Sequence, residues 1–459
     1  MLYPDEIKKI REGTWELDCS NILLTNDSSG NETYEGSGYI KCTPDGQIHF
    51  KMYSRNPFKP GQELQWWAEC SKAGQLISDK YYFKLSATDT QGKTWQADYI
   101  LPNRSGYAGS ENNVISGSVP HELKHSNKTP YVLANATLGI MIFHAVNRYI
   151  PCDIITKSMS LIGDDEDSAA ESWAVNIAKF SSCDCNFTTS KKDEILTLGI
   201  TSSTENLPSN IEYRAIEALQ FVLAHPLEWT ILEKNEEGVE TIIIKRTPKE
   251  MPKFRINEPV HHVVPKDSHT WKLFDKYLSY ILNYNGGTNW HPLSIFIHRV
   301  IVASAAYPET FALEVAVAVE GVLLTEFKSL ASPNDTFLQN LDKVYNYING
   351  ALFDEDFKQR IYKALDAMKN VSATDKLRLL VESKVISEKE YKAWKELRNS
   401  SAHPTQPAFI DLQKLLDLCD IVVTLFYKLI FHLISYEGKY KDYGAYGYPL
   451  KDFPTTEGN

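Results

Sequence analysis

The sequence predicts an α+β multidomain protein: a β-rich N-terminal half, sandwich-like or barrel-like and ending in a helix and hairpin, followed by an all-α helical bundle. Three observations predict it. The chain has 459 residues, 43% of them hydrophobic, which exceeds what one ordinary domain holds. Up to about residue 205, apolar and polar residues alternate in short runs rich in Trp, Tyr, Phe, Ile and Val, whereas beyond residue 268 apolar residues recur at i, i+3, i+4 and i+7. Between the two patterns lies "TPKEMPKFRINEPVHHVVPKD", residues 247–267, with four prolines and no period. The expected division is a β-rich region over 1–250, a Pro-rich linker over 251–267, a helical domain over 268–436 and a Tyr/Gly/Pro-rich tail over 437–459.

In chain order, "GTWELDCSNILL", "GSGYIKC", "GQIHFKMYS", "YYFKLSATD", "KTWQADYIL", "YVLANATLGIMIFHAV" and "ESWAVNIAKF" read as strands. "NDSSGN", "TPDGQ" and "TQGK" are turns by the chemistry of Asn, Asp and Gly. The acidic stretch "GDDEDSAAES", Gly163 to Ser172, reads as a solvated loop or a helix start. "NIEYRAIEALQFVLAHP" is a helix, with Ile211, Ala215, Ala218, Leu219 and Val222 at helical spacing and Pro226 closing it. A hairpin turning at "NEEG" follows. Beyond the linker eight helical segments run to Tyr436. The most apolar of them, Leu418 to Tyr436, is interrupted by Asp420, Lys428 and His432 and so reads as a buried helix. The tail is expected to be extended or partly ordered and to pack on its own domain rather than to stack its tyrosines on bases.

The net charge of −11 argues against a surface coated for nucleic acid, although a local basic cleft remains compatible with it. The N-terminal "MLYPDEIKKIREGTWEL" carries acids and no apolar signal region, and no run is long enough to span a bilayer. Seven scattered cysteines suit reduced thiols. A cytoplasmic protein without a membrane partner is expected. Cys183 and Cys185 lack the second ligand pair that zinc needs, so they read as two thiols on one face of a strand. His121 and His125 have helical zinc spacing in strand-rich surroundings. His291 and His298 are too far apart for one metal, and His291 before Pro292 suits a helix start. Glu314 and Glu320 fall on different faces of an apolar helix, one of them a possible arginine partner. P-loop, dinucleotide, nucleophile-elbow and zinc-ribbon signatures are absent, and no cofactor is expected.

The remaining motif is "RNSSAH". Ser387 and Glu390 form a capping box, with Ile386 and Tyr391 as its hydrophobic staple, so a helix starts there with Tyr391, Trp394 and Leu397 inward. Arg398 is expected in its last turn, "NSSA" in the cap, His403 in the connection before Pro404, and the next helix from Pro407. Such an arginine and histidine suit phosphodiester cleavage. The imidazole can move a proton on and off a 2′-hydroxyl, the guanidinium can stabilise charge on phosphate, and Asn399 can orient either by hydrogen bonding. As a bare pattern the spacing is weak, since Arg-x4-His is expected by chance about 0.3 times in this composition. Arg255 with His261 and His262 is a decoy in the Pro-rich segment.

An all-α domain carrying "W-x3-R-N-x3-H-P" at Trp394, Arg398, Asn399, His403 and Pro404, before a long apolar helix, resembles the HEPN superfamily of metal-independent ribonucleases. The β-rich half ahead of it is similar in layout to ApeA-type bacterial anti-phage proteins. ApeA-like domains often continue the histidine with glycine, where Pro404 stands here. The resemblance implies cleavage of RNA, tRNA included, by 2′-hydroxyl attack, with His403 as acid/base, Arg398 as phosphate ligand and Asn399 in support. It further implies a homodimer with a composite site, and a β-rich regulator answering a phage-derived trigger in abortive-infection defence. A non-catalytic interaction or sensor protein, or the toxin of a toxin–antitoxin pair, is the alternative.

Overall fold

A computed structural model describes residues 2–26, 32–55, 68, 70, 72, 74–105, 113–129, 134–141, 154–158, 170–174, 177–192, 195–202, 206–247, 252–260, 269–330, 335–369, 371–402 and 411–454. The chain divides into two compact units, Met1–Glu212 with Leu227–Pro252, and Tyr213–Pro226 with Lys253–Asn459. The first is a large antiparallel β-sheet region and the second is helical.

In the β unit, helix α1 (Pro4–Glu12) precedes strands β1 (Glu16–Asn26), β2 (Glu32–Cys42), β3 (Ile48–Ser54), β4 (Phe83–Asp89), β5 (Thr94–Ile100), β6 (Asn103–Ser105), β7 (Asn113–Ser118) and β8 (Glu122–Lys128). Then come β9 (Asn135–Met141), β10 (Ile154–Ser158), β11 (Ala170–Ala174), β12 (Ile177–Ser182), β13 (Cys185–Lys192), β14 (Ile195–Ser202), β15 (Glu228–Glu236) and β16 (Val239–Lys245). Fourteen of these hydrogen-bond in the order β12, β13, β14, β9, β15, β16, β8, β5, β4, β1, β2, β3, β7, β6, while β10 and β11 pair separately. Alternation in the sequence becomes burial: in β3, Ile48, Phe50 and Met52 are sealed while Lys51 and Tyr53 face outward. Side chains from β1 to β5, β7, β8, β15 and β16 share one core with Trp15, so a single sheet coils around that core. Register shifts at Cys19/Ile22 and Phe83/Leu85 supply bends.

Two local readings change. Cys183 and Asp184 form a two-residue turn with φ of 49° and 58°, and Cys185 opens β13, so the two thiols do not share a strand face. Of the acidic stretch, residues 163–169 lie outside the described residues, and Ala170 to Ser172 belong to β11 rather than to a loop or helix start.

The helical unit holds α2 (Ile211–Leu223) from Tyr213 onward, then α3 (His269–Ile281), α4 (Pro292–Ala303), α5 (Pro308–Thr325), α6 (Asp335–Gly350), α7 (Glu355–Met368), α8 (Ala373–Glu382), α9 (Glu388–Ala402) and α10 (Leu412–Leu433). Helix α2, expected to close the β half, therefore belongs mostly with the bundle. The reason is a buried charge. Arg214 is sealed from solvent, pairs with Glu217, and donates Nη2 to the carbonyls of Gly287 (2.7 Å) and Asn289 (2.9 Å). Glu217 in turn accepts the His291 amide at 3.0 Å. An unpaired guanidinium there would be prohibitive, so the segment between α3 and α4 has to stay against α2.

The Pro-rich segment, as far as it is described, is also docked: Asn257 and Glu258 carbonyls accept the Tyr427 (2.7 Å) and Tyr443 (2.6 Å) hydroxyls. The tail is folded too, as a hairpin of β17 (Gly438–Lys441) and β18 (Leu450–Phe453) that buries Tyr440 and Phe453 near Phe431. No described helix is long and apolar enough to cross a membrane.

Burial pushes the Asp420 carboxyl on α10 up to about 6, against a hydrogen bond from Tyr448 that lowers it. The folded state then holds this proton more tightly than the unfolded chain, so stability falls as pH rises from about 4 to about 6. Asp420→Asn is expected to flatten that part of a melting-temperature profile and to raise stability at pH 7 by about 1–2 kcal/mol.

Candidate functional site

Helix α9 is placed by its first turn. The Ser387 amide donates to Glu390 Oε2 at 2.7 Å and the Glu390 amide donates to Ser387 Oγ at 3.3 Å, which is the capping box, with Ile386 and Tyr391 buried as the staple. The same carboxylate receives Lys428 Nζ of α10 at 2.9 Å, with both side chains nearly sealed. Further along, Trp394 donates Nε1 to the Ala316 carbonyl of α5 at 3.1 Å, and Leu397 is completely buried. These contacts fix the direction in which the next residue points.

Arg398 is the next residue, and 40% of its side chain stays exposed. Its Nε donates to Glu320 Oε2 at 2.8 Å and its Nη2 to Glu320 Oε1 at 3.2 Å. This fork raises the guanidinium pKa further above its ordinary value. The helix does not stop at the arginine: Asn399 to Ala402 are helical, so Arg398 stands one turn before the end rather than in the last turn. Asn and Ser disfavour a helix interior only slightly, and an end held by packing upstream absorbs about 0.5 kcal/mol each. Asn399 is exposed. His403, Pro404 and Pro407 lie outside the described residues; in the sequence His403 directly follows Ala402. The following helix begins at Leu412, not at Pro407, because Asp411 caps it through the Gln413 (3.1 Å) and Lys414 (3.2 Å) amides.

Helix α5 carries a second fork, Glu314 with Arg299 of α4, at 2.8 and 3.1 Å. Along the same two helices run aliphatic side chains that nothing described covers. Leu313, Val317 and Leu324 on α5, with Glu320 at the same helical spacing, and Ile295 and Val302 on α4 are each 39–45% exposed. The sequence allowed one of Glu314 and Glu320 an arginine partner, and both have one; that the partner of Glu320 is Arg398, far away in the chain, had no local signal.

The other candidates resolve as structure. His291 caps α4, accepting the Leu293 amide at 3.1 Å, and His298 bonds the Gln220 side chain at 3.0 Å; burial lowers both imidazole pKa values. His125 lies on β8, bonded to the Thr94 carbonyl at 2.8 Å, and His121 in the bend just before that strand, so the two do not share a helix face. Of the decoy, Arg255 is described and His261 and His262 are not. Among the described residues no cluster of three metal-ligating side chains occurs.

The two carboxylates differ in burial, and their removal should differ accordingly. Glu390→Ala strands a buried Lys428 and is expected to cost about 3–5 kcal/mol. Glu320→Gln breaks a half-exposed fork and is expected to cost about 1 kcal/mol or less. Urea denaturation of both variants followed by helical circular dichroism checks the order.

No family model matches the chain, and no curated protein matches it. Among solved structures, the Bacillus subtilis Inhibitor of motility (MotI/DgrA) aligns with 41% of this chain and 88% of its own at 9% identity and a TM-score of 0.13, a likeness too slight to bear on fold or function.

Proposed function

We propose that this protein is a metal-independent endoribonuclease of HEPN type. The observation that supports the reading is Arg398, a half-exposed guanidinium held one turn before the end of a capped, buried-faced helix, with His403 immediately after that end. In the proposed reaction His403 accepts the proton of the RNA 2′-hydroxyl and the freed oxygen attacks the adjacent phosphorus. The 5′-oxygen leaves with a proton from an imidazolium, and a 2′,3′-cyclic phosphate remains. Arg398 exchanges Glu320 for the phosphate oxygens and stabilises their added charge; a fork this exposed costs little to open. Asn399 supports by hydrogen bonding. The site uses no cofactor, and the enzyme works in the cytoplasm, where the β-rich unit restrains it until a phage-derived trigger appears.

Two copies pair in this reading, so that both motifs serve one site. The aliphatic face of α4 and α5 beside Arg398 suits a self-complementary interface. Light scattering behind size exclusion is expected to give a dimer for the native chain and a monomer for Leu313→Glu with Val317→Glu. A native monomer would remove the composite site.

A second reading has its own observation. Arg398 already spends two hydrogen bonds on Glu320, as a structural arginine in a non-catalytic interaction or sensor protein would. The toxin of a toxin–antitoxin pair would share the cleavage chemistry. Incubation with tRNA and total RNA in EDTA, on the full chain and on His403→Ala and Arg398→Ala, separates catalysis from scaffolding. Cyclic-phosphate ends should form with the native protein and fall by at least about a hundredfold in either variant. Cleavage that survives both substitutions would sink the nuclease assignment to this motif.

A further inference from the structure

We propose that the β-rich unit binds a small organic phosphate in the cleft between α1 and the sheet. The cleft is about 550 Å³, within the size range of small-molecule sites. Its roof is α1, anchored by buried Ile10 and ended by Gly13 in the left-handed region (φ 66°), where any side chain would run into the Thr43 backbone. From that roof Lys8 and Arg11 line the cleft. Lys8 is shared with Glu12 at 3.9 Å, and Glu233, across the cleft, accepts the Leu2 amide. Among the described residues Arg11 has no such partner, and its Nε is buried without a hydrogen bond. A buried donor left unmade costs free energy, which a bound anion would recover.

The floor points the same way. Ser190, Thr197, Gly139 and Ile231 stand opposite one another across β13, β14, β9 and β15, with Thr137 in the adjacent row. Glycine is disfavoured within a strand, and here packing does not demand it. A Cβ on Gly139 would meet nothing nearer than Ile231 at 3.8 Å. Its absence leaves the floor low in the middle of the cleft, as close approach of a ligand requires. A guanidinium above and the hydroxyls of Ser190, Thr197 and Thr137 below offer more donors than the two oxygens of a carboxylate accept, and suit the three terminal oxygens of a phosphate. Ile7 and Ile195 provide an apolar wall for the organic part.

Phosphate binding in this cleft is independent of RNA cleavage and is measured without it. Titration calorimetry on the full chain with 1-naphthyl phosphate, inorganic phosphate, 1-naphthoate and 1-naphthol compares the phosphate, the carboxylate and the uncharged ring. Binding of naphthyl phosphate is expected, weakened about tenfold or more in Arg11→Ala and abolished in Gly139→Leu, with naphthol inert. Gly139→Ala, whose Cβ fits, serves as the folding control for the larger substitution, and melting curves verify all three variants. Absence of binding at millimolar naphthyl phosphate, binding unaffected by Arg11→Ala, or equal binding of naphthoate would each overturn the assignment.

Discussion

A single buried carboxylate, that of Glu390, governs the geometry around the candidate site. One of its oxygens completes the N-terminal cap of α9, and the other holds Lys428 in the middle of α10. The first contact sets where the helix begins and the second sets its register against the long helix, so the direction of every later side chain follows. Arg398 stands eight residues after Glu390, a little over two turns on, and its outward, half-exposed placement follows from that register. Burying both ions is tolerable because each satisfies the other and the cap takes up the second oxygen.

The helical unit uses the same device a second time. Arg214 and Glu217, also sealed, bind backbone groups around residues 287–291 and so draw a helix from the middle of the chain into the bundle. In both places the polar partners of a buried charge provide specificity that apolar packing alone would leave loose. The fork between Arg398 and Glu320 is different in kind. It is half-exposed, and an ion pair in contact with water contributes little to stability.

Much of this was legible in the sequence because period translates directly into burial. Ile48, Phe50 and Met52 alternate and are inside; Tyr391, Trp394 and Leu397 recur at helical spacing and are inside. The capping box at Ser387 was legible for the same local reason. Contacts between distant residues were not. Nothing near Lys428 announces Glu390, and nothing near Arg214 announces the carbonyls of Gly287 and Asn289. Local preference also misled where tertiary packing outweighed it, as at Asn399 to Ala402, which continue the helix. The aromatic tail packs on its own domain as its composition suggested, because Tyr440 and Phe453 find apolar neighbours. The cleft under α1 had no sequence signal at all, since its floor is assembled from four strands.

The strand order carries a consequence for synthesis. Strands β1 to β5 pair largely with near neighbours, but β8 takes β16 as its partner, with Leu123 opposite Ile244 and Lys128 opposite Val239. On the ribosome, β8 therefore emerges long before the strand that covers one side of it, and β9 likewise waits for both β14 and β15. Until Lys245 has been made, these edges display unpaired amides and carbonyls, a template for pairing with other nascent chains. Fragments cut before that point are open sheets rather than smaller versions of the unit, and the cell has to shelter them or degrade them.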